Sequence, residues 1–316
     1  MAQKHSLRPM AQARRTATRA GTRLLTSRAY DLRSTIIVAG SPRSGTTWVG
    51  NTVASIPGSA VVFEPLHLDR VPLAREAGFT WRTYVRPGTR WPAGEHALDE
   101  MLRGQVLNEW TAREIPWPKR VTTWIVKCIR MNRMLPWLSE RFATRAPLLV
   151  IRHPCAVIAS QMAAGWARPT EHPDPALVAD FPQTRSVLES LETDEEHRAA
   201  GWALDTLVPL SAAKPHPWVT LLYERATRGP EELDTAFQRW GITRPPGLNE
   251  RMRVLSSTTT PSRNAARLSP LTGWTKQLTR DQIRRILAVT HALGLDFYGE
   301  DPEPDESGLG RWGLSI

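Results

Sequence analysis

Short runs of apolar residues recur along the chain, separated by longer segments that predict helices. The runs are rich in valine, isoleucine and leucine, which is typical of strands buried on both faces of a parallel sheet. They predict strands at 35–39, 60–63, 124–130, 148–151 and 218–224. Helices are predicted at 46–56, 98–113, 154–164, 186–210 (one or two helices), 230–240 and 280–293. This alternation predicts an α/β fold, a three-layer α/β/α arrangement around a central parallel sheet of about five strands.

The length and composition fit one large domain with flanking segments. The chain has 316 residues and 41% of them are hydrophobic, enough for a sizeable core. We assign the domain to 34–300, with an insertion at about 67–120 that is rich in proline, glycine, arginine and tryptophan. Residues 1–33 predict a basic tail or helix, and the acidic, proline- and glycine-rich residues 301–316 predict a flexible tail.

Charge and cysteine content narrow the expected location and ligands. No run of about 18 apolar residues occurs, and the first residues lack the apolar core of a signal peptide. Cys128 and Cys155 lie in segments predicted to be central, which favours reduced thiols and a cytoplasmic protein. The net charge of +10 suits anionic ligands, nucleic acid or an acidic membrane. The basic residues 1–33 could make peripheral membrane contact, and a solvated tail is the alternative.

A glycine-rich loop joins the first predicted strand to the first predicted helix. Residues 40–48 are Gly-Ser-Pro-Arg-Ser-Gly-Thr-Thr-Trp. Free backbone N–H groups and the positive helix end at such a junction bind anions, and Ser44, Thr46 and Thr47 add hydroxyl donors. The glycine spacing is that of the phosphate loop G-x-x-x-x-G-K-[ST], but Thr46 occupies the lysine position and Arg43 supplies a cation instead. We therefore expect a P-loop-like fold that binds a phosphate-like anion.

Charged and polar residues lie at or after the ends of other predicted strands, and we expect them at the same edge of the sheet as the glycine-rich loop. Ligands of parallel α/β sheets bind beyond the carboxyl ends of the strands, so Glu64 is placed to accept a proton as a general base. A salt bridge to a core arginine is the alternative for Glu64, and Lys127 on the third strand could pair with it. Arg152 at the fourth strand end and Ser160 two helical turns later can converge on one phosphate.

These segments resemble the sulfotransferases that use 3′-phosphoadenosine 5′-phosphosulfate. Residues 41–48 are similar to the 5′-phosphosulfate loop of the family, and the spacing of Arg152 and Ser160 is similar to its 3′-phosphate segment. The run Phe-Glu-Pro-Leu-His at 63–67 is similar to the Glu-Pro segment of carbohydrate 6-O-sulfotransferases. Ile129 occupies the position of the catalytic histidine of cytosolic members, which strengthens the case for a glutamate base.

The resemblance implies the donor, the reaction and the roles of individual residues. Donor-binding roles are implied for Arg43, Ser44, Gly45, Thr46, Thr47, Trp48, Arg152, Ser160, Tyr223 and Arg263. Trp48 and Tyr223 would contact the adenine, and Arg263 or Arg267 the 3′-phosphate. Glu64, Arg43 and Lys127 are the implied catalytic residues, with no metal required. The implied reaction transfers a sulfonate group to a hydroxyl of a carbohydrate, glycolipid or other small molecule, with a phenol or natural product as the alternative acceptor.

Tryptophans in irregular segments are candidates for contact with the acceptor. Trp81, Trp91, Trp110 and Trp117 lie in the insertion, and Trp166 lies in a later proline-rich segment. Tryptophan can stack on sugar rings, although it more often belongs to a core.

Three other functions fit parts of the sequence. A P-loop kinase or ATPase is disfavoured by the missing loop lysine, and a protein that binds nucleic acid or membrane by charge alone is disfavoured by the absence of a nucleic-acid motif. A donor-binding pseudoenzyme is disfavoured by the presence of both Glu64 and Lys127. The acceptor and the oligomeric state are left open by the sequence.

Overall fold

A computed structural model describes residues 30–115, 120–167, 174–254 and 269–314 of the chain. Among these residues, five short strands form one central sheet: β1 (Ile36–Gly40), β2 (Ser59–Phe63), β3 (Thr123–Lys127), β4 (Leu148–Ile151) and β5 (Val219–Leu222). Their order is β2-β3-β1-β4-β5, and the neighbouring strands are parallel. The prediction of a central parallel sheet of about five strands is confirmed.

Helices follow the strands and fill the connections. They are α1 (Thr46–Val53), α2 (Pro72–Glu76), α3 (Pro92–Leu102), α4 (Leu135–Arg141), α5 (Pro154–Ala163), α6 (Pro175–Asp180), α7 (Thr184–Glu189), α8 (Asp194–Leu210), α9 (Tyr223–Ala226), α10 (Asp234–Trp240), α11 (Leu248–Met252), α12 (Arg280–Ala292) and α13 (Glu306–Trp312). Short 3₁₀ turns lie at Leu32–Ser34, Asn132–Met134, Pro230–Leu233 and Gly273–Lys276.

Helices cover both faces of the sheet, which gives the predicted three layers. Ile36 and Val38 of β1 face a cluster that includes residues of α1, α10 and α11. Ile37 and Ala39 face the opposite side, which α3 and α4 cover, and α5, α8 and α12 continue that layer over β4. All five residues of β1 are buried, as expected for the central strand of a sheet covered on both faces.

Several predicted boundaries differ from the structure, and three of them differ for identifiable local reasons. β3 ends at Lys127 rather than at 130, because the N–H of Ile129 points to the Glu64 carboxylate, at 3.3 Å from Oε2. β5 ends at Leu222 rather than at 224, because the next residues form the short helix α9. The helix of the insertion begins at Pro92 and ends at Leu102, because proline fits a first helical turn and the chain turns at Gly104 with φ +67°.

The predicted flexible tail at 301–316 is wrong for the residues that form α13. The Asp305 carboxylate accepts a hydrogen bond from the N–H of Gly308 at 2.7 Å and caps this helix. Leu309 is fully buried in the cluster that contains Phe297 and Tyr298. The segment is acidic overall, but its apolar residues share one helical face, and composition alone did not reveal that pattern.

Two predictions lie outside the described residues. Most of the basic segment at 1–33, with its proposed membrane contact, precedes residue 30, and Arg263 and Arg267 fall within 255–268. Among the helices that the structure describes, none has the length and apolar character needed to cross a bilayer.

Candidate functional site

A cavity of about 270 Å³ lies at the carboxyl ends of the strands, where the loop after β1 meets the ends of β2, β3 and β4. It brings together the predicted site residues Arg43, Gly45, Thr46, Thr47, Trp48, Glu64, Lys127, Arg152, Ser160 and Tyr223. Residues from five separate segments of the sequence therefore line one cavity. This is the position at which ligands bind in open parallel α/β sheets.

The loop after β1 forms one wall of the cavity. Helix α1 begins at Thr46, and no side chain of the described residues caps its first turn, so its N–H groups are available to an anion. Gly45 has φ +93°, and a Cβ placed on it would lie 2.4 Å from the Tyr223 ring. Only glycine therefore allows this close approach of the loop and the aromatic ring.

Two arginines and a serine meet beside this loop. Arg43 Nε donates a hydrogen bond to Ser160 Oγ at 2.9 Å, and Arg152 donates one to the Arg43 carbonyl at 3.0 Å. Burial, and then the nearby Arg152 guanidinium, lower the pKa of Arg43 below its usual value. The Nε of Arg152 is buried without a hydrogen-bond partner among the described residues. Two neighbouring guanidinium groups suit an anion of high charge density, such as a phosphate.

Ser44 does not line the cavity, in contrast to the donor-binding role expected for it. The side chain is fully buried, and both its N–H (3.0 Å) and its hydroxyl (2.6 Å) donate hydrogen bonds to the Ser41 carbonyl. Ser41 Oγ in turn donates to the buried Asp205 carboxylate at 3.0 Å, and Arg133 Nε donates to the same carboxylate at 2.9 Å. Ser44 therefore stabilises the shape of the loop, and Asp205 fixes the loop to α8.

Trp48 and Tyr223 lie together at the cavity wall, and their contact with an adenine stays a prediction. Their ring centroids are 5.7 Å apart in an edge-to-face arrangement. The Trp48 Nε1 donates to the Met252 carbonyl at 3.0 Å, and the Arg152 guanidinium lies 4.6 Å from the centroid of the Tyr223 ring. These contacts hold both rings in place next to Arg152.

Glu64 and Lys127 form a buried ion pair in the cavity wall. Glu64 is 2% exposed and Lys127 is 4% exposed, and Lys127 Nζ donates to Glu64 Oε1. Arg130 NH1 donates to Glu64 Oε2 at 2.8 Å, so two cations hold the carboxylate. Pairing was the alternative interpretation for both residues. The structure brings the two together, and the roles of Glu64 as base and of Lys127 at the sulfonate stay predictions.

The turn that follows β2 holds Glu64 in an uncommon backbone conformation. Glu64 has φ +45°, a left-handed value that costs a non-glycine residue about 1–2 kcal/mol. Its N–H donates to the Lys127 carbonyl at 2.8 Å, and the N–H of His67 donates to the Glu64 carbonyl at 3.1 Å. The backbone therefore fixes the carboxylate next to β3, where its cationic partners lie.

Sequence reasoning assigned no role to three further residues of the cavity, His67, Arg113 and Arg130. Arg113 lies 4.5 Å from the Phe63 ring centroid and 5.1 Å from that of Trp110. His67 could have been noticed, because it ends the Phe-Glu-Pro-Leu-His run. No local signal identifies Arg113, which lies in the insertion and reaches the cavity only through tertiary folding.

The tryptophans divide between the cavity and the core. Trp110 and Trp166 line the cavity, and their contact with an acceptor stays a prediction. Trp91 packs with Phe79 and Trp137 in the core, and Trp81 is 43% exposed beside His67. Trp117 lies outside the described part of the chain.

No protein-family model and no curated protein matches the chain. The solved structures similar to it include the sulfotransferase domain of the Synechococcus PCC 7002 olefin synthase, at 17% identity and a TM-score of 0.42, covering 83% of this chain and 96% of that chain. Mouse sulfotransferase SULT7A1, solved in complex with PAP, has 12% identity and a TM-score of 0.42, covering 86% of this chain and 87% of that chain.

Sulfotransferase STF1 from Mycobacterium tuberculosis is a third similar structure, at 12% identity and a TM-score of 0.41, covering 88% of this chain and 81% of that chain. All three structures are sulfotransferases, the family that the sequence motifs resemble. Identities and scores this low add nothing to the functional argument, which depends on the motifs and on the geometry of the cavity.

Proposed function

We propose that the protein transfers a sulfonate group from 3′-phosphoadenosine 5′-phosphosulfate to a hydroxyl of a carbohydrate, glycolipid or other small molecule. One observation carries this proposal. The uncapped start of α1 and the cluster of Arg43, Arg152 and Ser160 share one cavity with the buried pair of Glu64 and Lys127. Anion-binding groups and a proton-accepting group thus lie within reach of one ligand.

The charges of the cavity suit a donor with several phosphate-like groups. Among the described residues, five cationic side chains line it against one carboxylate, that of Glu64. We assign the 5′-phosphosulfate to the start of α1 with Arg43, and the 3′-phosphate to Arg152 and Ser160. Trp48 and Tyr223 are then the residues that contact the adenine. Arg263, outside the described residues, stays a prediction for the 3′-phosphate.

The proposed chemistry is a single displacement at sulfur. The acceptor oxygen forms a bond to sulfur while the bond from sulfur to the bridging oxygen breaks, which leaves 3′-phosphoadenosine 5′-phosphate. Arg43 and Lys127 stabilise the negative charge that develops on the bridging oxygen. Glu64 takes the proton of the acceptor hydroxyl. For this step Lys127 turns from Glu64 Oε1 towards the bridging oxygen. The movement supplies the cation and leaves Oε1 open to the acceptor proton, while Arg130 stays on Oε2.

The acceptor side of the cavity supports a ring-shaped acceptor. Phe63, Trp110 and Trp166 line it, and Trp166 is the most exposed of the three, at 42%. An exposed aromatic face packs against sugar rings and against phenols. A carbohydrate is our first choice because the Phe-Glu-Pro-Leu-His run at 63–67 resembles carbohydrate members of the family. A phenol or other natural product is the alternative within the same chemistry.

The reaction itself is tested by incubating the protein with the donor and hydroxylated sugars or phenols in the presence of a chelator. Release of 3′-phosphoadenosine 5′-phosphate together with a sulfonated acceptor supports the proposal. Magnesium-dependent hydrolysis of ATP without any sulfonation would instead support the kinase or ATPase interpretation.

Replacement of Arg152 by glutamine should weaken binding of 3′-phosphoadenosine 5′-phosphate by about 10- to 100-fold, the range for a charged hydrogen bond to phosphate. Adenosine 5′-phosphosulfate lacks the 3′-phosphate, so its affinity should change much less. Calorimetric titration of both nucleotides measures this difference.

Arg239→Gln is the matched control, because Arg239, like Arg152, donates to backbone carbonyls. Its partners are the carbonyls of His216 and Trp218, near the amino end of β5. It should leave both affinities unchanged. Equal losses for the two nucleotides in Arg152→Gln would contradict the assignment of Arg152 to the 3′-phosphate.

A further inference from the structure

His67 occupies a defined position on the acceptor side of the cavity. It lines the cavity together with Glu64, three residues earlier in the chain. Its ring packs edge-to-face against Trp110, with centroids 4.8 Å apart, and against Trp81, with centroids 5.1 Å apart. Trp110 is itself held by a hydrogen bond from its Nε1 to the Glu64 carbonyl at 3.3 Å. The imidazole is therefore fixed by aromatic contacts and by the same turn that holds Glu64.

One nitrogen of this imidazole has no hydrogen-bond partner among the described residues. Its Nδ1 is buried, and none of the described residues hydrogen-bonds to it. Buried polar atoms in folded proteins almost always have a partner, and an unpartnered one costs about 1–3 kcal/mol. A ligand group that reaches the ring would remove part of this cost, whereas the aromatic neighbours cannot.

The surroundings of His67 keep it neutral near pH 7. Burial lowers its pKa below the ordinary value, and the Arg130 guanidinium lowers it further. Asp69 and Glu64 act in the opposite direction, and Arg70 adds a smaller lowering effect. A neutral imidazole has one nitrogen that donates and one that accepts a hydrogen bond, whereas the protonated ring only donates.

We propose that His67 binds the acceptor by accepting a hydrogen bond from one of its hydroxyl groups, while Trp110 supplies the apolar face beside it. The inference rests on the proposed function, since it names how that same site recognises its acceptor. Glu64 keeps the role of proton acceptor, because His67 contributes to binding and not to the bond-breaking step. The acceptor class that fits is a ring with a hydroxyl next to an apolar face, as in sugars and aryl glycosides.

The test uses His67→Phe in the full chain, which keeps an aromatic ring between Trp81 and Trp110 but removes both nitrogens. The probes are 4-nitrophenyl β-glucoside and 4-nitrophenol, with 3′-phosphoadenosine 5′-phosphosulfate as donor. The KM for the glucoside should rise about 3- to 12-fold, the factor for one hydrogen bond. The KM for 4-nitrophenol should not change, because its single hydroxyl is the one that Glu64 deprotonates. The kcat and the affinity for 3′-phosphoadenosine 5′-phosphate should stay within about twofold, since neither uses this contact.

The pH dependence separates hydrogen bonding from simple packing. In the unaltered protein, KM for 4-nitrophenyl β-glucoside should rise as the pH falls through the lowered pKa of His67, because the protonated ring no longer accepts a hydrogen bond. His67→Phe should lack this rise. His216→Phe is the matched control, since His216 also stacks on a tryptophan, Trp218, and its pKa is also lowered by burial, yet it lies outside the cavity.

Three results would overturn the inference while leaving the proposed function intact. These are an unchanged KM for the glucoside in His67→Phe, a large fall in kcat with that KM unchanged, and binding of 3′-phosphoadenosine 5′-phosphate without binding of either probe. Failure of the unaltered protein to bind 3′-phosphoadenosine 5′-phosphate would contradict the proposed function itself, so the two failures are distinguishable.

Discussion

Replacement of Glu64 by glutamine should lower kcat for sulfonate transfer by about 10²- to 10⁴-fold, the usual effect of losing a general base. Glutamine has nearly the same shape but cannot take the acceptor proton. Binding of 3′-phosphoadenosine 5′-phosphate should persist, because the substitution removes a negative charge from a cavity that five cations line in the described part of the chain. Single-turnover kinetics with saturating donor, together with calorimetry, measure the two effects separately.

The same substitution should also lower stability, so it needs a control of the same kind. Glu64 is buried and paired with Arg130 and Lys127, and breaking a buried pair costs about 3–5 kcal/mol. Glu195→Gln removes another buried carboxylate, whose partner is Arg285, away from the cavity. It should lower the melting temperature but leave kcat unchanged. Normal turnover in Glu64→Gln would show that another group takes the proton.

Replacement of Gly45 by alanine should weaken binding of 3′-phosphoadenosine 5′-phosphate by roughly 10²-fold, the effect of an ångström-scale misplacement in a binding site. The added methyl group would lie 2.4 Å from the Tyr223 ring, so the ring or the loop must move. Arg152 lies over that ring at 4.6 Å and should be displaced with it. Calorimetric titration of the nucleotide, alongside thermal unfolding, gives the result.

Gly294→Ala is a closely matched control for this substitution. Gly294 has φ +81°, similar to the +93° of Gly45, but a Cβ at Gly294 would meet nothing within 4 Å. Both substitutions should cost about 1–2 kcal/mol of stability from the left-handed backbone. Only Gly45→Ala should lose nucleotide affinity. Equal affinities in the two variants would contradict the role of the loop as the anion site.

The sequence predicted the sheet well because buried parallel strands leave a strong local pattern. The run that became β4 was predicted with its observed limits, Leu148–Ile151, since a proline precedes it and Arg152 follows it. The end of β3 was missed because it depends on the contact between the Ile129 N–H and Glu64, more than sixty residues away. The helix α13 was missed because its stability depends on burial of Leu309 against distant residues.

The sequence predicted those residues of the cavity that come directly after a strand. Parallel strands bring their carboxyl ends to one edge, so the order of strands and motifs along the chain is enough to place residues far apart in sequence together. The local roles were harder to predict. The Ser44 hydroxyl turns away from the cavity because of how the loop folds back on Ser41. His67 and Arg113 line the cavity because of how the insertion folds over the sheet.

The central claim is that the cavity binds a 3′-phosphorylated adenine nucleotide, and calorimetric binding of 3′-phosphoadenosine 5′-phosphate tests it most directly. The titration is run with and without magnesium, and against ATP under the same conditions. We predict binding that is independent of magnesium and much tighter than that of ATP. Preference for ATP with magnesium would contradict the account, and the roles assigned to Arg152, Ser160 and Glu64 would then be wrong.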